Sequence, residues 1–408
     1  MTAVGSAPPV ALAARATYAA FIGSGFAFAS WAARIPQVRD ALELSPSELG
    51  LVLLAIAAGS IVALVISGKL VARYGSDRTV GGMAGLMSVA IAFVALFFDA
   101  GVPWLVVGLF LFGFANGAWD VAMNVQGAAV ERGLGRAIMP RFHAGWSVGT
   151  VAGALIGAAM VALDVSVTAH LLVVAVVVGA AVILAVRWFL PDGPDSASAE
   201  ASTGRQSVLS FWREPRTLLV GLFVLAFAFA EGAGNDWVSV ALIDDYGAAP
   251  ALGTLGFAVF LTAMTAGRWF GPGLLDRYGR VPVVRLSAGV ALVGLLLFVF
   301  GAGTAFAFAG VLLWGAGTAL GFPVGISAAA DDPARAAGRV SVVASIGYCA
   351  FLGGPPLIGF LGDHLTVQRG LIAVGVLLAL AVAVSAAVRP LPAAATTADL
   401  SQADAVDR

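Results

Sequence analysis

Apolar runs of roughly twenty residues recur twelve times along the 408-residue chain, separated by short polar or charged intervals. A helix rises about 1.5 Å per residue, so about 20 apolar residues cross a hydrocarbon core about 30 Å thick. The pattern predicts spanning helices near 15–35, 48–68, 79–99, 103–126, 142–163, 167–189, 216–240, 252–272, 282–301, 304–328, 340–361 and 367–388. One interval differs from the rest: residues 191–215, PDGPDSASAEASTGRQSVLSFWREP, form a long polar stretch rich in Ser, Pro, Asp and Glu, the composition of a connection. It divides the chain into six-span halves at 15–190 and 216–389, with tails at 1–14 and 390–408. The C-terminal AAATTADLSQADAVDR reads as disordered. The expected fold is an all-α polytopic membrane protein of 12 transmembrane helices.

Composition agrees, with 60% hydrophobic residues, 11% charged and a mean hydropathy of +0.97, against about a quarter charged in a soluble chain. Lys and Arg (22) nearly balance Asp and Glu (23), which leaves no basic footprint for nucleic acid. Their placement carries more. Only Arg34, Arg39 and Arg369 fall on the side opposite the termini; the other nineteen of the 22 lie with the termini. The excess of cations marks the cytoplasmic face, so both termini are expected in the cytoplasm and the chain in the inner membrane. Arg15 follows the first small apolar run instead of preceding it, which argues against a cleaved signal peptide. The single Cys349 excludes a disulfide framework. No His/Cys cluster has ligand spacing and no G-x-x-x-x-G-K-[ST] is present, so neither a metal, a cofactor nor direct nucleotide drive is expected.

The halves repeat. GKLVARYGSDR begins at Gly68 and PGLLDRYGR at Pro272, and a shift of 204 residues superposes Leu70 on Leu274, Arg73 on Arg277, Tyr74 on Tyr278 and Gly75 on Gly279. The same shift puts Gly113 and Gly117 on Gly317 and Gly321. Parallel six-helix repeats are an architecture of alternating-access carriers. On these residues the sequence resembles the major facilitator superfamily, whose loop between spans 2 and 3 carries G-x-L-x-D-R-x-G followed by basic residues. The first copy keeps Gly68, Arg73, Gly75 and Arg78 but has Ala72 at the acidic position; the second keeps Asp276, Arg277, Gly279 and Arg280. FASWAARIP, GAWDVAMNVQGAAVE, MPRFHAGWSVGTVAGA and AEGAGNDWVSVAL look like the MosC-like branch of that superfamily, bacterial inner-membrane carriers with some similarity to sugar transporters. The resemblance implies a transporter that binds a small molecule between its halves.

Polar residues inside the apolar runs are the candidates for chemistry. Asn116, Asp120 and Asn124 recur every four residues in span 4, which stacks them on one helix face. An ionised carboxylate facing lipid is costly, so that face points inward; the alternative is that the Asn residues only bond neighbouring helices and Asp120 pairs with Arg141 or His143. Glu231 in span 7 has no neighbouring cation in the sequence and is the first choice for proton coupling or solute binding, with Asn235 one turn on. Asp236 reads as a solvated carboxylate nearer the exit. Arg34 either snorkels to the interface or bridges to Glu231 or Asp236. Trp31 and Trp237 either stack on a solute or pack, and His143 is a candidate proton relay or a solvated helix end. Gly149, Gly153 and Gly157, and Gly317, Gly321 and Gly325, read as smooth stripes for close helix approach, and Pro355 and Pro356 as a kink. The expected function is secondary transport of a small polar or amphipathic solute by a monomeric, proton-coupled carrier, direction open. A membrane enzyme and a non-transporting receptor are the rivals; no nucleophile and base recur at a useful spacing, and the tails are short.

Overall fold

A computed structural model describes residues 9–136, 138–192, 208–332 and 335–391. The central part of the polar interval and both distal tails, including the C-terminal segment read as disordered, lie outside the described residues. Among the described residues twelve helices are long and apolar enough to span a membrane. They are Val10–Ala41, Pro46–Tyr74, Ser76–Ala100, Val102–Leu134, Met139–Ala162, Val167–Trp188, Pro215–Asp244, Pro250–Tyr278, Arg280–Phe300, Thr304–Ala329, Gly338–His364 and Val367–Val388, called spans 1 to 12. Hydropathy found all twelve but not their ends. Span 4 continues eight residues beyond the expected limit to Leu134, carrying Glu131 and Arg132 with it. Span 1 is interrupted at Ala33 and Arg34, between helices Val10–Ala32 and Ile35–Ala41.

Local chemistry sets the turns. Span 2 starts with a capping box: Glu48 donates its backbone N–H to Ser45 Oγ (3.3 Å), while Ser45 donates its own to Glu48 Oε2 (2.9 Å). Spans 2 and 3 are joined through Gly75 at φ 85°, ψ 162°, and spans 8 and 9 through Gly279 at φ 78°, ψ 166°. That region is essentially glycine-only, which explains the repeat of R-Y-G in both motifs. In each copy the Arg lies over the ring of the following Tyr, Arg73 on Tyr74 at 5.5 Å and Arg277 on Tyr278 at 5.1 Å.

Packing repeats as the sequence does. Span 1 packs on spans 5 and 6, span 2 on 4, and span 3 on 4 and 6; span 7 packs on 11 and 12, span 8 on 10, and span 9 on 10 and 12. Between the halves, span 2 packs on span 11 and span 5 on span 8, a pair of contacts exchanged by the same six-span displacement. Small residues let these helices touch. A Cβ at Gly149 or Gly153 would strike the Ile22 or Phe26 backbone of span 1, and one at Gly113 or Gly117 the Ile56 or Ser60 backbone of span 2.

The repeat slips by two residues within its second half, and this corrects the expected glycine pairing. The turns before spans 4 and 10 use Gly101 and Gly303, 202 residues apart and not 204. Gly315 therefore takes the place of Gly113: it meets the Phe260 backbone as Gly113 meets that of Ile56. The contact of Gly117 with Ala63 returns as Ala319 with Gly267, with the small and smaller partners interchanged. Nor is the 317–321–325 series one stripe. Span 10 breaks between Thr318 and Gly321, so Gly317 faces span 9 at Ala291 whereas Gly321 and Gly325 face Phe227 and Val224 of span 7. Pro355 and Pro356 lie within the continuous helix Ala336–His364.

The end bearing the termini carries a charge cluster in the second half. Glu214 accepts from Arg339 (2.8 Å) and pairs with Arg335 (3.2 Å), and Asp331 joins Arg216 (2.8 Å) to Arg280 (2.6 Å). The Arg339 hydrogen bond, with help from Thr217, holds the Glu214 carboxyl below the usual range. Asp276, the acidic residue of the motif, is exposed and makes no ion pair among the described residues.

Gly279 has nothing within 4 Å of where a Cβ would sit, so Gly279→Ala isolates backbone strain. It should destabilise the protein by roughly 1–3 kcal/mol, read as a lowered midpoint of thermal unfolding in detergent, whereas Gly289→Ala, also in open space but helical, should not lower it.

Candidate solute pathway between the two halves

At the end opposite the termini, the far end, the halves are fastened together. The break in span 1 lets helix Ile35–Ala41 turn against span 7, and there Arg39 pairs with Asp244 across the halves, bonding Asp40 in its own half at 2.6 Å as well. Ser47 at the start of span 2 donates its N–H to Asp363 at the end of span 11 (3.3 Å). Beside it a Cβ at Gly50 would strike Pro355, and one at Gly359 would strike Pro46. Both side-chain bonds that cross the halves among the described residues lie at this end.

Towards the termini the polar side chains bond within their own half among the described residues. In the first half, Asn124 donates to the Asp120 carbonyl (2.8 Å) and to its carboxylate (3.3 Å), and Ser24 of span 1 donates to Asn116 Oδ1 (3.4 Å). All three span 4 residues are half-buried. Asp120 therefore pairs with neither Arg141 nor His143. Tyr348 of span 11 stands within electrostatic range of Asp120. His143 is exposed at the start of span 5, its ring edge-on to Phe21 at 5.2 Å and within electrostatic range of Arg268 on span 8.

In the second half, Glu231 accepts from Arg268 Nη2 at 2.8 Å. Glu231 does have a counter-charge, then, one that its sequence neighbours did not disclose. Arg268 is not at a connection with the other cations on the side of the termini: it stands ten residues inside span 8. Its Nε also reaches the Ala319 carbonyl at the break in span 10 (3.4 Å). Asn235, one turn beyond Glu231, has its Oδ1 buried without a donor. Asp236 is half-buried and has no hydrogen-bond or ion-pair partner among the described residues. Gly232, on the same face as Asp236, lies against Phe351 of span 11.

Three residues sit elsewhere than expected. Arg34 is 2% exposed and donates to His170 Nδ1 and the Val165 carbonyl, each at 3.0 Å. It neither snorkels nor meets Glu231 or Asp236; the cross-half ion pair belongs to Arg39 five residues later. Trp31 and Trp237 are buried and present no face to solvent. Of the motif residues, Arg73, Arg78, Arg277 and Asp276 are exposed, Gly68 is helical, and Arg280 is engaged with Asp331.

Two six-span halves with a repeated set of contacts, fastened at one end and lined between by paired and unpaired polar groups, define a polytopic membrane transporter. The sequence profile of the Major Facilitator Superfamily matches residues 16–349, and the chain belongs to that family. An uncharacterized transporter of Sinorhizobium fredii, y4wD, is 34% identical over 367 residues, covering 90% of this chain and 95% of the relative. Membrane protein MosC of Rhizobium meliloti is 29% identical over 366 residues, 88% of this chain and 87% of the relative, in keeping with the branch resemblance. Among solved structures, the nucleoside transporter NupG aligns with a TM-score of 0.72 at 15% identity over 91% of this chain and 98% of that one. The E. coli fucose:proton symporter FucP aligns with 0.62 at 15% identity over 94% and 99%. At these identities the structural likeness speaks for the fold.

Glu231 and Arg268 should behave as one unit. Glu231→Gln and Arg268→Gln each leave a partly buried partner alone, and the double variant should be more stable than the sum of the single losses predicts, by about 1–3 kcal/mol in a double-mutant cycle of thermal unfolding. Additive losses would show that the pair is not coupled.

Proposed function

We propose that the protein is an alternating-access secondary transporter of a small polar solute, coupled to protons, acting as a monomer in the bacterial cytoplasmic membrane with both termini inside. The orientation rests on the cations that share a side with the termini, eighteen of the 22 once Arg268 is placed inside span 8. On that orientation the far end is the outer end, and the conformation is closed to the outside. The observation that carries the proposal is the division of labour between the ends: Arg39 with Asp244 and Ser47 with Asp363 hold the halves together outside, whereas further in the polar groups bond within their own half, Asp120 with Asn124 and Glu231 with Arg268.

Asn116, Asp120, Asn124 and Asn235 are the proposed donors and acceptors for the solute, with Glu231 and Asp120 as proton carriers and His143 as a relay. The Arg268 pair sharpens the role of Glu231. A carboxylate beside a guanidinium gives up its partner when protonated, so proton uptake at Glu231 frees Arg268 and the span 10 break it touches. Proton coupling as such has a parallel in the proton symport named for FucP. Sugars and nucleosides, the solutes named for the structural neighbours, belong in the first screen.

The test is a thermal-shift screen of the purified protein against sugars, polyols, nucleosides and amino acids, followed by a pH-dye assay of the hit in proteoliposomes. A solute at about 100 times its dissociation constant stabilises by about 2.7 kcal/mol. Solute-driven proton movement in the native protein, lost in Glu231→Gln while binding persists, is the expected result. Solute movement without protons, at the same rate in the native protein, Glu231→Gln and Asp120→Asn, would overturn the coupling assignment.

A further inference from the structure

A cavity of about 470 Å³ lies at the outer end, away from the polar groups of the central pathway, and both halves contribute to its walls: Arg34 and Gln37 from span 1, Asp164 and Ser166 ahead of span 6, and Ala249 and Pro250 at the start of span 8. Three features of it carry positive potential. The first is Arg34, a charged side chain only 2% exposed. Its guanidinium donates to His170 Nδ1 and to the Val165 carbonyl, and Nη1 has no partner among the described residues. A His170 ring that accepts at Nδ1 from a guanidinium carries its proton on Nε2 and is neutral, so it supplies no counter-charge, and Arg34 forms no ion pair among the described residues. Buried charges in membrane proteins are ordinarily paired; this one ends at a cavity wall.

The second and third features are helix N-termini. Span 8 runs 29 residues from Pro250 and no side chain caps its start at Ala249. Span 6 begins at Val167, which lines the cavity, and the Ser166 hydroxyl takes the Ala169 N–H there (3.2 Å). Aligned peptide dipoles place partial positive charge at both starts. The one acid in the wall, Asp164, is exposed on the rim. A planar guanidinium with free N–H groups matches a carboxylate.

We infer that this cavity is a binding site for a small organic carboxylate, held by Arg34 between the first turns of spans 6 and 8. Because the walls belong to different halves, occupancy favours the outer-closed arrangement. The site is independent of the solute pathway proposed above and is tested without transport.

The experiment is thermal unfolding of the full-length protein titrated with sodium acetate, with sodium chloride as the control for bulk salt. The native protein should gain a saturable stabilisation in acetate beyond that in chloride. Arg34→Gln should lose this difference. Since Arg34→Gln could simply fold badly, Ala249→Asp provides the decisive variant: it tethers a carboxylate at the empty cap of span 8, where Asp is a favoured residue. Its midpoint without acetate should equal or exceed the native one, and its acetate response should vanish. Equal shifts in acetate and chloride for the native protein, or an unchanged acetate response in Ala249→Asp, would overturn the assignment.

Discussion

A bilayer core has no water with which to satisfy a backbone amide or an unpaired charge. That constraint makes every span a helix, confines charged side chains to the ends or the interior of the bundle, and leaves van der Waals contact between helices as the main cohesive force. The glycines follow from it: Gly149 and Gly153 bring span 5 onto span 1, Gly113 and Gly117 bring span 4 onto span 2, and Gly50 and Gly359 bring spans 2 and 11 together across the halves. The charges follow too. Where Arg39 meets Asp244, and Arg268 meets Glu231, a guanidinium and a carboxylate come from different spans, so each pair ties helix positions together.

Two of the inter-half contacts, span 2 on 11 and span 5 on 8, are exchanged by the internal repeat, so the interface between the halves carries the symmetry of the repeat. The end opposite the termini is fastened by an ion pair, a hydrogen bond and close backbone contact. Facing groups further in are held within each half: Asp120 by Asn124, Glu231 by Arg268. This asymmetry gives a solute or a proton something to work on, since the groups it would meet are those whose partners are local and exchangeable.

The number of spans, the two halves and the R-Y-G turns were legible in the amino-acid pattern, because hydropathy, positive charge and a glycine-only φ/ψ leave direct marks in sequence. Pairings between distant spans leave no such mark. Glu231 read as a carboxyl without a cation because its partner is on the next span, and Arg268 read as a span-end cation because its run, TAGRWFGPG, ends in Gly, Pro and Gly. Arg34 and Arg39 were told apart only by the break in span 1, which turns one against His170 and the other across to span 7; the Pro36 that opens the second piece was the available hint. The slip from 204 to 202 was present in the turn glycines Gly101 and Gly303, but a match at Gly317 and Gly321 concealed it.

In the proposed transport cycle the ion pair of Arg39 and Asp244 holds the end opposite the termini closed between halves that move as bodies. Spin labels at Ala41→Cys and Leu365→Cys, exposed outer positions in opposite halves, on a Cys349→Ser background, measure that end directly by pulsed dipolar spectroscopy. The native protein should give a predominantly short distance, and Asp244→Asn should transfer population to a longer one while a label pair within one half stays unchanged. A single distance distribution, identical with and without Asp244→Asn, would contradict the account.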